Sequence, residues 1–165
     1  MAISCRINAD GSRYQFELLV FEQGTQSASV NNPTESLIKW PTALSELSGI
    51  QQTDNKLLKD GASALFSTGK CRPIIHYSWV QSAGPGGVIL PMHINSDDGR
   101  LDGFIHLRNA QPLEIIVNLE RQSLRANNAG KRYLYRINEK RTANFNQLQY
   151  FDNPNIGVLL QFSQL

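Results

Sequence analysis

Alternation of apolar and polar residues with a period of two is the feature of this chain that most constrains its fold. Apolar residues share one side in three segments, at Ile75, Tyr77 and Trp79, at Leu101, Ile105 and Leu107, and at Leu113, Ile115, Val117 and Leu119. Because successive side chains of a strand point to opposite faces, each segment predicts a strand with one apolar face. Turn-forming residues at 97–99, 109–112 and 127–130 lie between the strands. The pattern therefore predicts an antiparallel sheet of consecutive hairpins with one wetted face.

Two more strands are predicted near the ends of the chain. The early strand carries apolar residues on one side at Tyr14, Phe16, Leu18 and Val20. Leu19 and Phe21 make its second half apolar on both sides, which is typical of a strand inside a sheet. The late strand carries Val158, Leu160 and Phe162 on one face. With a further strand from residue 133 to 138, the total is about six or seven strands.

Two helices are predicted between the early strand and the rest of the sheet. Thr53 or Asp54 can cap a helix, and Gly69 can end it in the left-handed conformation. The buried face of this helix is predicted to be Leu57, Leu58, Gly61, Ala64 and Leu65. A shorter helical segment is predicted from residue 41 to 47, capped by Thr42 and ended by Gly49. The predicted fold class is therefore α+β, mainly an antiparallel sheet with one main helix packed on it and one short helix.

Composition allows one domain and says little about partners. The chain has 165 residues, enough for one core, and its formal charge of +2 is not concentrated in a run of Lys or Arg. Residues 24–41 are polar and predict a long loop that could carry a partner site. Cys5 and Cys71 predict either a disulfide or two independent thiols. The first five residues lack the apolar core of a signal peptide, so either a targeting segment has been removed or the chain is cytoplasmic.

The polar residues form no known catalytic or metal-binding motif. His76, His93 and His106 come from three segments without the paired spacing of metal ligands, so the prediction is that no metal is bound. No G-x-S-x-G elbow is present, and the glycines around Pro85 lack the Lys that follows in a phosphate-binding loop. A hydrolase with a site assembled in space stays open as a minor alternative.

Glycan binding without cleavage requires a flat aromatic ring flanked by groups that form hydrogen bonds with sugar hydroxyls. The candidates are Trp79, Gln81, His76, Arg141, Tyr150 and Asp152. Most of them have a structural alternative. Trp79 and Tyr150 could pack in the core, Asp152 could hold a turn, and His76 could be a half-buried strand residue bonded to a neighbour.

Three segments in order resemble the CsiV family of bacterial peptidoglycan-binding proteins. YQFELLVFEQ at 14–23 resembles the family's Y-x-V-E-V-I-V-F, and IIHYSWVQ at 74–81 resembles its L-L-H-x-A-W-x-Q. The end of the chain, from Gln147 to Leu160, resembles E-L-H-Y-L-D-H-P-x-F-G-V-L-V. Gln149 and Asn153 stand where that closing motif has its two histidines.

The resemblance implies a mobile N-terminal segment at 1–13 followed by a single CsiV-like domain at 14–165. It also implies a periplasmic, non-enzymatic protein without a cofactor, whose signal peptide is absent from this chain. Such a protein binds peptidoglycan and supports a class A penicillin-binding protein through its outer-membrane lipoprotein activator. Two alternatives remain. One is a periplasmic protein adaptor that uses the edge of the first or last strand, and the other is the hydrolase.

Overall fold

Two antiparallel sheets form most of the protein, as seen in a computed structural model that describes residues 11–24, 31–49, 51–54 and 58–165. The elements are β1 (Arg13–Gln23), β2 (Gln51–Gln52), α1 (Lys59–Ser67), β3 (Cys71–Ser82), β4 (Met92–Asn95), β5 (Leu101–Arg108), β6 (Glu114–Ala126), β7 (Arg132–Thr142), β8 (Gln149–Asp152) and β9 (Ile156–Gln164). Sheet A has the strand order β2-β3-β1-β9-β8, and sheet B has the order β4-β5-β6-β7. Short 3₁₀ turns occur at Leu47–Gly49 and Pro85–Gly87.

The predicted fold class was wrong, because the protein is mostly β and its strands are divided between two sheets. The alternating faces of both sheets meet in one shared core. In that core β1 contributes Phe16 and Leu18, while β6 contributes Val117 and Leu119 from the opposite sheet. Alternation indicates that a strand has one buried face, but it does not say which strands pair or what covers that face.

The short helix predicted at residues 41–47 is not formed. Ser45 instead lies in a parallel bridge with Met92. The Ser45 N–H donates to the Pro91 carbonyl at 2.8 Å, and its carbonyl accepts from the His93 N–H at 2.9 Å. This pairing with β4 satisfies backbone groups that the helix would otherwise have paired, so tertiary contacts override the local capping signal.

The predicted main helix exists as α1, on the outer face of sheet A. It begins at Lys59, later than predicted, and Leu57 lies outside the described residues. The predicted face was partly wrong, because Gly61 and Ala64 are exposed and Ala62 is buried instead. Leu58 and Ala62 pack on Leu19, Phe21 and Leu159, which explains why β1 is apolar on both sides. After the helix, Gly69 has a φ of +69°, which confirms the predicted left-handed ending.

A strap, defined as residues 31–45, crosses the outer face of sheet B from one edge strand to the other. It starts at β7, where the Leu134 N–H donates to the Pro33 carbonyl at 2.8 Å. Over β6, the Leu37 N–H donates to Glu120 Oε1 at 2.8 Å. The strap ends at the Ser45 bridge to β4. Much of the predicted polar loop at 24–41 is therefore held against the sheet, while residues 25–30 lie outside the described residues.

The order of strands corrects one detail of the adaptor alternative. The first long strand, β1, lies between β3 and β9, and β9 lies between β1 and β8. Neither offers a free edge for strand addition. The edges are β2 and β8 in sheet A, and β4 and β7 in sheet B.

Two predictions about the N-terminal region stay predictions. Residues 1–10 of the segment predicted to be mobile lie outside the described residues, and Cys5 lies among them. The pairing of Cys5 with the half-buried Cys71 is therefore not addressed by the fold. Among the described residues, no helix is long and apolar enough to cross a membrane.

Candidate functional site

Trp79 and Gln81, two of the predicted glycan-binding residues, lie inside the protein. Trp79 is 0% exposed, and its ring stacks on Phe16 with centroids 5.0 Å apart and an interplanar angle of 7°. Its indole N–H points to Gln81 Oε1 at 3.4 Å, and the Gln81 amide donates to the Leu90 carbonyl at 2.7 Å. In the folded protein neither side chain presents a surface to a sugar, and their contacts are those of a packed core.

His76 lies on the outer face of sheet A beside a buried carboxylate that the sequence analysis overlooked. Glu17 is fully buried, and its Oε1 lies 2.9 Å from His76 Nε2. The same oxygen accepts the Leu58 N–H at 3.0 Å, just before α1 begins. The signal was an acidic residue in the middle of the apolar strand β1. Glu17 therefore orients both His76 and the start of α1.

A cavity of about 600 Å³ lies beside His76, between α1 and β3. It is lined by Leu19, Asp54, Lys59, Ala62, Ser63, Phe66, Pro73 and His76. Ser63 and His76 share this cavity, yet no hydrogen bond joins them in the described part of the chain.

Tyr150 and Asp152 point outward from β8 and lie together with Gln23; these three residues are called the β8 surface. The ring of Tyr150 is 43% exposed and stacks on Phe21, with centroids 6.5 Å apart. Its hydroxyl lies 3.3 Å from both Asp152 Oδ2 and Gln23 Oε1, so its single proton can serve either acceptor. Burial, together with the Asp152 carboxylate, raises the pKa of Tyr150. The hydroxyl is therefore neutral at physiological pH and can act as both donor and acceptor.

Arg141 lies near the β8 surface but on a different side of the strand. Its guanidinium carbon is 4.1 Å from the centroid of the Phe151 ring, which points into the core. Nε and Nη2 donate to Glu139 at 2.9 and 2.6 Å, and Nη1 donates to the Tyr150 carbonyl. Arg141 thus connects β7 with β8 and closes the gap between the two sheets at this edge.

The turn after Asp152 is held by a different residue from the one the sequence suggested. Asn153 Oδ1 accepts the N–H groups of Asn155 and Ile156, both at 2.8 Å. The Asn153 amide donates to the Arg136 carbonyl at 3.1 Å. Asn153, one of the two positions that depart from the closing motif, is therefore the turn residue, and the Asp152 carboxylate bonds Tyr150 instead.

The structure does not bring His76 and Tyr150 together. They stand at opposite ends of one cross-strand row on sheet A, with Leu19 and Leu159 between them. Three strand spacings separate them, about 14 Å. Because α1 packs on both leucines, it divides the outer face into a His76 side and a Tyr150 side.

A second exposed aromatic lies on sheet B, and the sequence analysis did not identify it. Trp40, in the strap, is 42% exposed. Its ring meets His93 of β4 edge-on, with centroids 5.5 Å apart, and it lies 6.1 Å from the ring of Phe104 of β5. A single tryptophan in a polar stretch carries no periodic signal, so only the path of the strap reveals this position.

His93 is bonded on both sides by carboxylates. Nδ1 lies 2.9 Å from Glu46 Oε2, and Nε2 lies 2.7 Å from Asp102 Oδ1. Burial favours a neutral ring, but the hydrogen bonds to Asp102 and Glu46 outweigh it and raise the pKa of His93. Both ring nitrogens of His93 are therefore engaged by carboxylates. Trp40, Glu46, His93, Asp102 and Phe104 are called the Trp40 surface.

A buried ionic cluster joins the two sheets at one end of the sandwich. Arg121 of β6 donates to Glu22 Oε1 of β1 at 3.1 and 2.8 Å, and to Asp98 Oδ1 at 2.8 Å. Arg121 is the main reason that the pKa of Asp98 lies well below its ordinary value. Because Arg121 and Glu22 are buried and joined by two hydrogen bonds, we assign this cluster a structural role.

The fold is an antiparallel β-sandwich that carries half-exposed aromatic rings beside carboxylates, and such rings and acceptors suit a β-sandwich for ligand binding. Residues 41–165 match the family model described as "Peptidoglycan-binding protein, CsiV", and the chain belongs to that family. Searches of curated proteins and of solved structures gave no match. The family resemblance seen in the sequence is thus confirmed, and peptidoglycan binding indicates a place in the cell envelope.

Proposed function

We propose that the chain is a periplasmic, non-enzymatic protein that binds peptidoglycan. It supports cell-wall synthesis by a class A penicillin-binding protein through the lipoprotein activator of that synthase. The observation that carries the proposal is the match of residues 41–165 to a family described as peptidoglycan-binding. The periplasmic location and the activator are extensions of this family description, and each has its own test.

The β8 surface is the proposed contact with the wall among the residues considered from the sequence. Tyr150 offers a half-exposed ring that Phe21 holds in place, and its hydroxyl and Asp152 offer hydrogen-bonding groups beside it. A ring that is already fixed loses little freedom when a sugar stacks on it. Arg141 beside β8, and His76 about 14 Å away on the other side of α1, are proposed as outer contacts for carboxylates of the stem peptides.

Support of the synthase is proposed to work by bridging. A protein attached to the wall through one face holds its other surfaces at high effective concentration near envelope partners, so two modest affinities combine. The rigid sandwich allows this, because its two outer faces point in opposite directions. The proposal predicts that a variant that loses wall binding still binds the purified activator.

The test is cosedimentation of the purified chain with insoluble sacculi. Saturable binding is expected, and Tyr150→Ala is expected to weaken it about tenfold through loss of one stacking contact. Tyr150→Phe is the matched control, since it keeps the ring and removes only the hydroxyl. Failure of the folded wild-type chain to sediment with sacculi would contradict the proposal. Equal binding by all three proteins would keep the function and remove the β8 surface from it.

Two alternatives have specific observations in their favour. The adaptor alternative is favoured by the part of edge strand β7 beyond Arg136, since Leu134 and Arg136 are already bonded by Pro33 and Asn153. It predicts no sedimentation with sacculi. The hydrolase alternative is favoured by His76 beside Glu17 at the cavity. It predicts turnover of muropeptides that His76→Ala abolishes, whereas the binding proposal predicts none.

A further inference from the structure

The Trp40 ring is held in one orientation at the outside of sheet B. The edge contact with His93 and the contact with Phe104 fix the indole, and the bridge at Ser45 anchors the strap that carries it. Even so, 42% of the side chain remains exposed. A large flat ring that is fixed before a ligand arrives provides stacking area at low entropic cost.

The groups around this ring are hydrogen-bond acceptors. The side chains of Glu46 and Asp102 are 57% and 56% exposed, and His93 holds both. Asp102 Oδ1 engages His93 and accepts the Gly103 N–H, so the hydrogen bonds of the described residues use Oδ1 and leave Oδ2 able to accept from a ligand. Ionised carboxylates only accept hydrogen bonds, so they select a ligand rich in O–H and N–H donors.

We propose that the Trp40 surface binds a pyranose unit of the wall glycan. The C–H face of the sugar rests on Trp40, and its hydroxyl or acetamido N–H groups donate to Asp102 and Glu46. The inference rests on the proposed function, because the glycan strand is the part of peptidoglycan that offers this chemistry. It adds a contact on sheet B that is separate from the β8 surface on sheet A.

The charge of the surface favours a sugar over other ligands. Two exposed carboxylates beside the ring disfavour a phosphate or a stem-peptide carboxylate. An apolar protein partner would have to desolvate both carboxylates, which is costly without new hydrogen bonds. A neutral sugar stacks on the ring and satisfies the acceptors at once.

Tryptophan fluorescence of the unaltered chain gives a direct test, because the protein has two tryptophans. Trp79 is fully buried and shielded from an aqueous quencher such as iodide, so quenching reports on Trp40. The probe is the tetramer of N-acetylglucosamine, which contains no peptide. Saturable protection of the quenchable emission is expected. Unchanged quenching at millimolar sugar would overturn the inference.

Cosedimentation with sacculi supplies the second measurement. Trp40→Ala is expected to bind about tenfold more weakly, while Trp40→Tyr keeps a flat ring and binds within about threefold of wild type. Leu37→Ala is the matched control, since it truncates another exposed apolar side chain of the same strap and is expected to bind normally. If Trp40→Ala binds as Leu37→Ala does, the inference fails while the proposed function stands.

The two measurements also distinguish failure of the proposed function from failure of the Trp40 site. If the wild-type chain does not sediment with sacculi but the sugar still protects Trp40, the proposed function fails and the glycan site stands. If the wild-type chain does not sediment with sacculi and the sugar does not protect Trp40 from quenching, both proposals fail. Circular dichroism of each variant confirms that a loss of binding is not a loss of fold.

Discussion

The ring of Phe21 lies over Gly157 of the neighbouring strand β9, in the space that a β-carbon at this position would need. A β-carbon at Gly157 would stand 2.4 Å from Cζ of Phe21 and 2.6 Å from Cε2. The same ring stacks on Tyr150 and packs edge-on against Phe66 of α1. The glycine of the closing motif therefore provides space for the residue that supports the β8 surface.

Gly157→Ala is expected to lower the free energy of unfolding by about 1–3 kcal/mol, because the methyl group displaces the Phe21 ring. Gly61→Ala is the matched control, since a β-carbon there meets nothing within 4 Å and replaces a glycine inside α1. That control is expected to raise stability by about 0.5–1 kcal/mol. Urea denaturation of the two variants checks both, and equal stabilities would contradict the account of Phe21.

Trp79→Ala is expected to destabilise the fold by about 3–5 kcal/mol, because it removes a fully buried ring stacked on Phe16. Trp79→Phe keeps part of the volume and is expected to cost less. The measurement is chemical denaturation followed by circular dichroism. Under conditions in which circular dichroism shows Trp79→Phe to be folded, its binding to sacculi is expected to equal that of wild type. Weaker binding by the folded variant would point to a direct role for Trp79.

The pKa of His93 is expected to lie above its ordinary value of 6.5, with a direct effect on stability. Because the pKa of His93 is raised in the folded state, protonation of His93 stabilises the fold. This contribution to the free energy of unfolding is fully present below pH 6.5 and is lost as the pH rises through the pKa of the folded state. Nuclear magnetic resonance can follow all three histidines. Glu46→Gln is expected to lower the pKa of His93 and leave that of His106 unchanged. Burial depresses the pKa of His106, so its resonances are expected to shift at a lower pH than those of His93.

Asp98 is expected to limit stability in acid. Its pKa is lowered first by the hydrogen bond from Arg121, with help from Ser96 and the Arg100 N–H, so its contribution is present above pH 3.8. That contribution is lost as the pH falls below 3.8 toward the folded-state value. Asp98→Asn is expected to make the free energy of unfolding less dependent on pH below 3.8. Asp97→Asn, which removes the adjacent exposed carboxylate, is the control and is expected to keep that dependence.

Much of the local structure could be predicted from alternation, while the division into two sheets could not. The strands around Trp79 and Val117 were predicted, and they exist as β3 and β6. Pairing of β1 with β9 joins residues at opposite ends of the chain, and a pattern within one strand carries no information about such a partner. The predicted helix at 41–47 failed for a related reason, because β4 offered Ser45 a pairing that local capping rules do not include.

The candidate site shows the same limit at the level of single residues. Trp79 and Tyr150 both lie in strands, yet one faces the shared core and the other faces the solvent. Which side of a strand is covered depends on the opposite sheet, so sequence alone could not separate them. Trp40 was missed because its partners Phe104 and His93 come from two other strands and meet it only when the strap crosses sheet B.

The pairing of β1 with β9 also constrains how the protein is made. β1 begins at Arg13 and β9 ends at Gln164, yet they are neighbours within sheet A. A chain that emerges from its N-terminus carries β1 with one edge unpaired until β9 has emerged. Sheet A therefore closes only after β9 is available. Until then, the edge of β1 needs protection by a chaperone or by its own neighbours against pairing with other chains.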